Sequence, residues 1–178
     1  MKTAAVLLAV ATTVLTIIHL YAPNSIVPAA AISCGTACYH FAMRLLVGAL
    51  VPPIKGTSRW FRPRRWEAPL YRFLRVKSWK KHLPTYNPDS FSLDHHTPQE
   101  ILANMCQAEV VHEIIVLCSF LPLLAVPVLG ALPVFLITSC LSAALDLIFV
   151  IAQRFNRPRI LRLTQKRAFI QSQKEFQT

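Results

Sequence analysis

The stretch IIVLCSFLPLLAVPVLGALPVFLITSCLSAAL, residues 114–145, runs for thirty-two positions without a charged side chain. A helix needs about 20 apolar residues to cross a hydrocarbon core about 30 Å thick, so this stretch is too long for one ordinary span. Pro122, Pro127, Gly130 and Pro133 punctuate it, and such a cluster reads as the bend of a hairpin. The expectation is one span over residues 110–128 and a second over 132–152. Both ends of that hairpin lie on one side of the bilayer.

Upstream, residues 3–22 carry no charge and form the first expected span. The same pattern, with Lys2 before it and Ala29-Ala30-Ala31 after it, also fits a signal peptide. Residues 28–50 form the remaining span, in which Ser33, Thr36, His40 and Arg44 fall at helical spacing and mark an inward polar face. Composition agrees, with 54% of the residues hydrophobic and 15% charged, where a soluble domain carries about 25% charged. The fold class expected is an all-α integral membrane protein of about four transmembrane helices in two hairpins, forming a single membrane domain over residues 1–178.

Charge orients it. The formal charge is +11, and ten of the nineteen basic residues lie in residues 55–81 and seven in residues 154–174. The positive-inside rule puts both clusters in the cytoplasm. The chain is then expected in the cell membrane as a multi-pass protein, with both termini, a loop over 55–108 and a tail over 153–178 cytoplasmic. Three spans, with residues 26–53 lying in the interface, is the alternative topology. The five cysteines show no CxxC spacing and read as reduced packing residues.

The loop interleaves basic and aromatic residues from Trp60 to Trp79. Trp66, Leu70, Phe73, Leu74 and Lys77 fall on one helical face, which suits a helix along the headgroup layer with its cations on lipid phosphates. Interleaving of this kind also suits single-stranded nucleic acid, but spans on both sides argue for membrane lipids as the partner and against nucleic acid.

Three groups carry potential chemistry. Glu109 and His112 share a helical face, so Glu109 can orient His112, which then serves as a general base. His95 and Glu100 sit near Thr97-Pro98, a pattern that reads as a helix start capped by Thr97. Asp146 is an acid in an apolar span and requires a partner, for which Arg44, His40 and His112 are the candidates. No phosphate loop, GxSxG or HExxH pattern occurs, and no metal site or cofactor is expected. Two rival readings use the same residues: a non-enzymatic membrane scaffold or subunit, and a metal-dependent lipid hydrolase or oxidase built on Glu109, His112, Glu113 and His95 or His96.

Three motifs then bear on identity: Arg65-Trp66-Glu67 with Tyr71 and Trp79-Lys80-x-x-Leu83-Pro84, Ala108-Glu109-x-x-His112, and Gln153-Arg154-Phe155-Asn156-Arg157-Pro158-Arg159. In order and separation they resemble the glycosyl-4,4'-diaponeurosporenoate acyltransferase family, which completes staphyloxanthin-type carotenoids. The sequence departs from that pattern at Glu113, where the resemblance leads one to expect Trp, and at Asp146, where it leads one to expect Asn. The resemblance implies transfer of a fatty acyl group, from acyl-CoA or acyl-carrier protein, to a primary sugar hydroxyl of a lipid-soluble glycosylated acceptor. It implies His112 and Glu109 as catalytic residues. Arg154, Asn156, Arg157 and Arg159 are expected to bind substrate with Asp146, and Trp66, Trp79 and Lys80 to form an acceptor platform or lid.

Overall fold

In the computed structural model, residues 2–21, 26–56, 58–84 and 88–175 are described. The chain is all helix and turn there, with no strand among the described residues. In chain order the helices are α1 (Lys2–Tyr21), α2 (Ile26–Leu50), α3 (Glu67–Phe73), α4 (Val76–Trp79), α5 (Pro98–Cys118), α6 (Val126–Leu129) and α7 (Leu132–Glu175). Four helical segments are long and apolar enough to cross a membrane: Lys2–Tyr21, Ile26–Leu50, Pro98–Leu129 and Leu132–Ile170. This is an all-α membrane protein with the four expected spanning helices. Two of them outrun their apolar stretches: α5 starts at Pro98, inside the expected loop, and α7 continues as helix through residues 153–175. With 44 residues, α7 is about 66 Å long at 1.5 Å per residue, well over the hydrocarbon thickness.

The chain divides into two compact units, one of Met1–Val51 with Val111–Leu147 and one of Pro52–Val110 with Ile148–Thr178.

In the first unit α1 and α2 pack as a hairpin. Gly35 faces α1, where a Cβ would rest in ordinary contact with Thr12 Cγ2 at 3.4 Å. The segment joining α1 to α2, residues 22–25, lies outside the described residues. Met43, Val47 and Ile115 form a buried apolar cluster. Of the expected polar face on α2, Thr36 and His40 are buried, Arg44 is half-buried and Ser33 is exposed. Apolar side chains such as Leu7, Leu20, Leu141 and Leu145 stand on the surface, the expected face toward lipid tails, which have no polar groups for a side chain to satisfy.

The hairpin turn before α7 falls in the Pro/Gly cluster. Gly130 has φ +64° and Ala131 has φ +51°, two consecutive residues on the positive side of φ that reverse the chain. Pro133 then sits in the first turn of α7, where its missing N–H has no intrahelical acceptor to satisfy. Gly130→Ala has open space around the new methyl group, so its cost is backbone strain alone, about 1–3 kcal/mol. Thermal unfolding in detergent should show a lower midpoint, and an unchanged midpoint would refute the strain argument.

In the second unit the basic segment does not form one interfacial helix. Arg75 takes a left-handed conformation, φ 50° and ψ 40°, between α3 and α4, so the face expected to run from Trp66 to Lys77 is broken in two. The core beneath contains Phe61, Val76, Ile101, Met105 and Cys106. Gly56 touches it so closely that a Cβ there would lie 3.0 Å from Cys106 Sγ. At the start of α5, Thr97 N–H donates to Glu100 Oε2 at 2.8 Å, and Glu100 N–H donates to Thr97 Oγ1 at 3.3 Å. This reciprocal pair is a capping box, the helix start that the Thr97-Pro98 pattern implies. All five cysteines are free thiols.

Candidate active site

Within the first unit, an acid on α7 gathers the functional side chains. Asp146 is 2% exposed. Its Oδ1 lies 2.8 Å from His112 Nδ1 on α5, and its Oδ2 is ion-paired with Arg44 on α2. Arg44 also donates to the hydroxyl of Ser142 at 2.7 Å and to the carbonyl of His40 at 2.9 Å, and Ser142 shares a hydrogen bond of 2.9 Å with Ser119. The helices place these groups by register: Ser142 and Asp146 are four apart on α7, so both face the same partner.

The physical reason for the cluster is the cost of a carboxylate in an apolar span, about 2.5–3.5 kcal/mol at a bilayer centre. Asp146, expected among the substrate-contacting residues, has internal partners in His112 and Arg44. In the tautomer that donates from Nδ1 to this carboxylate, the lone pair of the neutral ring is on Nε2. The sequence reading gives the orienting role to Glu109; the carboxylate on Nδ1 is that of Asp146.

Glu109 has another task, in the second unit. It is fully buried, with Oε1 accepting from Arg154 Nη1 at 2.7 Å and Oε2 ion-paired with Arg157. Arg154 also donates through Nε and Nη2 to Glu67 Oε1, at 3.0 and 2.6 Å. Arg157 donates to the Phe61 carbonyl at 2.5 Å and stacks over the Phe61 ring at 5.0 Å. The result is a buried four-charge network, two arginines with two glutamates. Arg154 and Arg157, expected to hold a substrate carboxylate or phosphate, both face protein carboxylates. Glu67 belongs to the Arg65-Trp66-Glu67 motif but is not among the residues expected to act. The signal was available, since it is the lone acid in residues 55–81, where ten cations would make an isolated surface carboxylate unremarkable but a buried one a structural anchor.

Lys80 donates to Asn156 Oδ1 and lies 4.5 Å from the centre of the Phe155 ring. Partial burial, with Arg159 and Lys77 nearby, holds its pKa below the usual lysine value. Trp79 is pinned by donating from Nε1 to the Leu74 carbonyl at 2.8 Å. Trp66 and Arg159 are exposed. Tyr71 donates to Glu67 Oε2 at 3.1 Å and packs edge-on against Phe155. Burial and the adjacent Glu67 charge push its phenol up to about 12, because both disfavour a second negative charge. In a spectrophotometric titration, the tyrosinate absorbance removed by Tyr71→Phe should appear near pH 12, and its appearance near pH 10 would contradict the contact with Glu67.

His95 is exposed, and His96 pairs with Glu100 at 3.7 Å across one helical turn. Among the described residues no group of three or more His, Cys, Asp or Glu side chains is placed to hold a metal ion.

The three motifs thus meet in geometry: Glu67 from the first, Glu109 from the second and Arg154 with Arg157 from the third close one ion network. The sequence model of the glycosyl-4,4'-diaponeurosporenoate acyltransferase family matches residues 57–166. The chain belongs to that family. It is accordingly an acyltransferase, an enzyme that moves an acyl group from a donor to a carotenoid glycoside. No curated protein and no solved structure matches the chain. The matched region contains His112, Asp146 and the whole of the buried charge network, while Arg44 lies outside it.

Proposed function

We propose that this acyltransferase esterifies a primary sugar hydroxyl of a glycosylated carotenoid with a fatty acyl group, using His112 as general base and Asp146 as the residue that orients it. The observation carrying this reading is the 2.8 Å contact between His112 Nδ1 and the buried Asp146 carboxylate. With Nδ1–H held, Nε2 takes the proton of the attacking hydroxyl. The sugar oxygen forms its bond to the acyl carbonyl carbon, the carbon–sulfur bond of a thioester donor breaks, and the imidazolium returns its proton to the departing thiolate. Arg44 pairs with the Asp146 carboxylate and so fixes its position beside the ring. Glu109 acts through structure, by holding Arg154 and Arg157.

The substrates explain the architecture. Acceptor and acyl chain both partition into lipid, and an enzyme made of four spanning helices meets them where they dissolve. Crossing is assigned to residues 3–22, 28–50, 110–128 and 132–152, with residues 55–108, residues 153–178 and both termini cytoplasmic by the positive-inside rule. Exposed Trp66 and Arg159 suit the headgroup layer, and with Trp79 and Lys80 they remain the assigned contacts for the acceptor.

The decisive assay offers purified enzyme in neutral detergent a glycosylated carotenoid with acyl-CoA or acyl-carrier protein. Formation of the ester is expected, and no ester with either donor would refute the assignment. Topology is checked separately with Arg65→Cys and Arg159→Cys in intact cells. Neither should gain labelling over the parent from an impermeant external thiol reagent, and labelling of either would invert the orientation.

A further inference from the structure

One cleft lies wholly within the second unit and is used by none of the chemistry above. Its volume is about 940 Å³, in the range of small-molecule sites. Arg64, Arg72, Arg75, Lys77 and Arg162 line it. The one acid in the lining, Glu67, is already spent, with Oε1 on Arg154 and Oε2 on Tyr71. Arg72, Arg75, Lys77 and Arg162 have no carboxylate partner among the described residues. The inner wall carries the rings of Tyr71 and Phe155, set edge to face with centroids 5.6 Å apart, beside Pro63 and Pro158.

We infer that this cleft binds the phosphorylated nucleotide portion of an acyl-CoA donor. Five cations around a concave wall call for a ligand with several phosphates. A single lipid headgroup would leave most of them uncompensated, whereas a diphosphate together with a ribose phosphate supplies charge-assisted contacts for each. The ring wall gives a flat base something to lie against, and arginine planes can cover it from the other side. A second observation points the same way. Arg75 is one of two non-glycine residues with positive φ among the described residues, and residues held in sparsely populated conformations concentrate where a ligand is gripped. That conformation ends α3 and turns the chain beside the cleft.

The inference rests on the thioester-dependent reaction proposed above, and the test separates the two. Binding of CoA itself, with no acyl group, is measured by titration calorimetry on the full chain in neutral detergent. Wild type and His112→Ala should bind CoA alike, and adenosine 3',5'-bisphosphate should compete. The double variant Arg72→Gln with Arg75→Gln should weaken binding roughly a hundredfold, about tenfold for each lost charge-assisted contact. Ala68→Trp keeps every cation but fills the cleft, and it should abolish binding while circular dichroism shows the helices intact.

CoA binding by wild type that persists undiminished in both variants would overturn the site. So would failure of CoA to bind while anionic phospholipid vesicles do, or transfer supported by acyl-carrier protein alone. None of those results touches ester formation. Absence of ester with both donors, with CoA still bound in the cleft, would instead sink the reaction and leave the site standing.

Discussion

His112→Ala is expected to lower kcat for acyl transfer by about 10²–10⁴-fold, the usual contribution of a positioned general base, while the KM values for both substrates change little. The side chain is a proton acceptor in the transition state and makes no claim on ground-state binding. The partner variants make the test specific. Asp146→Ala removes the acceptor from Nδ1 and should bring a comparable fall in kcat, because a ring in the wrong tautomer offers N–H where a lone pair is needed. Asp146→Asn still presents an oxygen to Nδ1–H, so much of kcat should return while Arg44 loses its counter-charge. Full activity in His112→Ala would remove the proposed mechanism, and equal activities of the Ala and Asn variants at 146 would remove the positioning role.

The second large effect is on stability. Glu109→Ala leaves Arg154 paired with Glu67 alone and takes from Arg157 its ion-pair partner, with Glu67 the remaining carboxylate acting on it. Removing one partner from a buried ion network costs about 3–5 kcal/mol, chiefly because the remaining charge has lost its neutraliser in a poorly solvated place. Unfolding of the variant in detergent should show that loss. Pairing it with Arg157→Met should recover part of it, since an apolar group of similar length needs no counter-ion. A Glu109→Ala protein as stable as wild type would mean that the network is not closed in solution. Because Glu109 is assigned to structure, the variant's residual folded fraction should turn over with near-normal kcat, which separates it from His112→Ala.

The spanning helices were legible because a continuous apolar stretch of about 20 residues satisfies its own backbone in hydrocarbon only as a helix. Long apolar stretches must be helix, and the Pro/Gly cluster between two of them must be a turn. Helix length beyond the membrane was less legible. Hydropathy marks where α5 and α7 become apolar, not where they begin and end. Thr97 and Glu100 did announce the true start of α5 through their capping pattern, whereas residues 153–175 continue α7 because Gln, Arg, Lys and Leu are good helix formers whatever their hydropathy.

At the site, residue types were readable and pairings were not. Glu109 and His112 are neighbours on a helix face, and spacing alone suggests that they serve each other. Tertiary packing assigns Asp146 to the histidine and two arginines to the glutamate, over sequence separations of 34 to 48 positions that no local periodicity encodes. The break at Arg75 was invisible for a different reason: arginine has no preference for a left-handed backbone, so nothing in the sequence marked the place.

The ion pair of Arg44 with Asp146 also makes a statement about inheritance. A cation in the second helix is tolerable in an apolar span while the fourth supplies its counter-charge, so neither position is free to change alone. Across relatives, a chain that carries a neutral amide at the place of Asp146 should have surrendered the arginine at the place of Arg44 as well. Pairs of sequences caught with one change and not the other should then be rare.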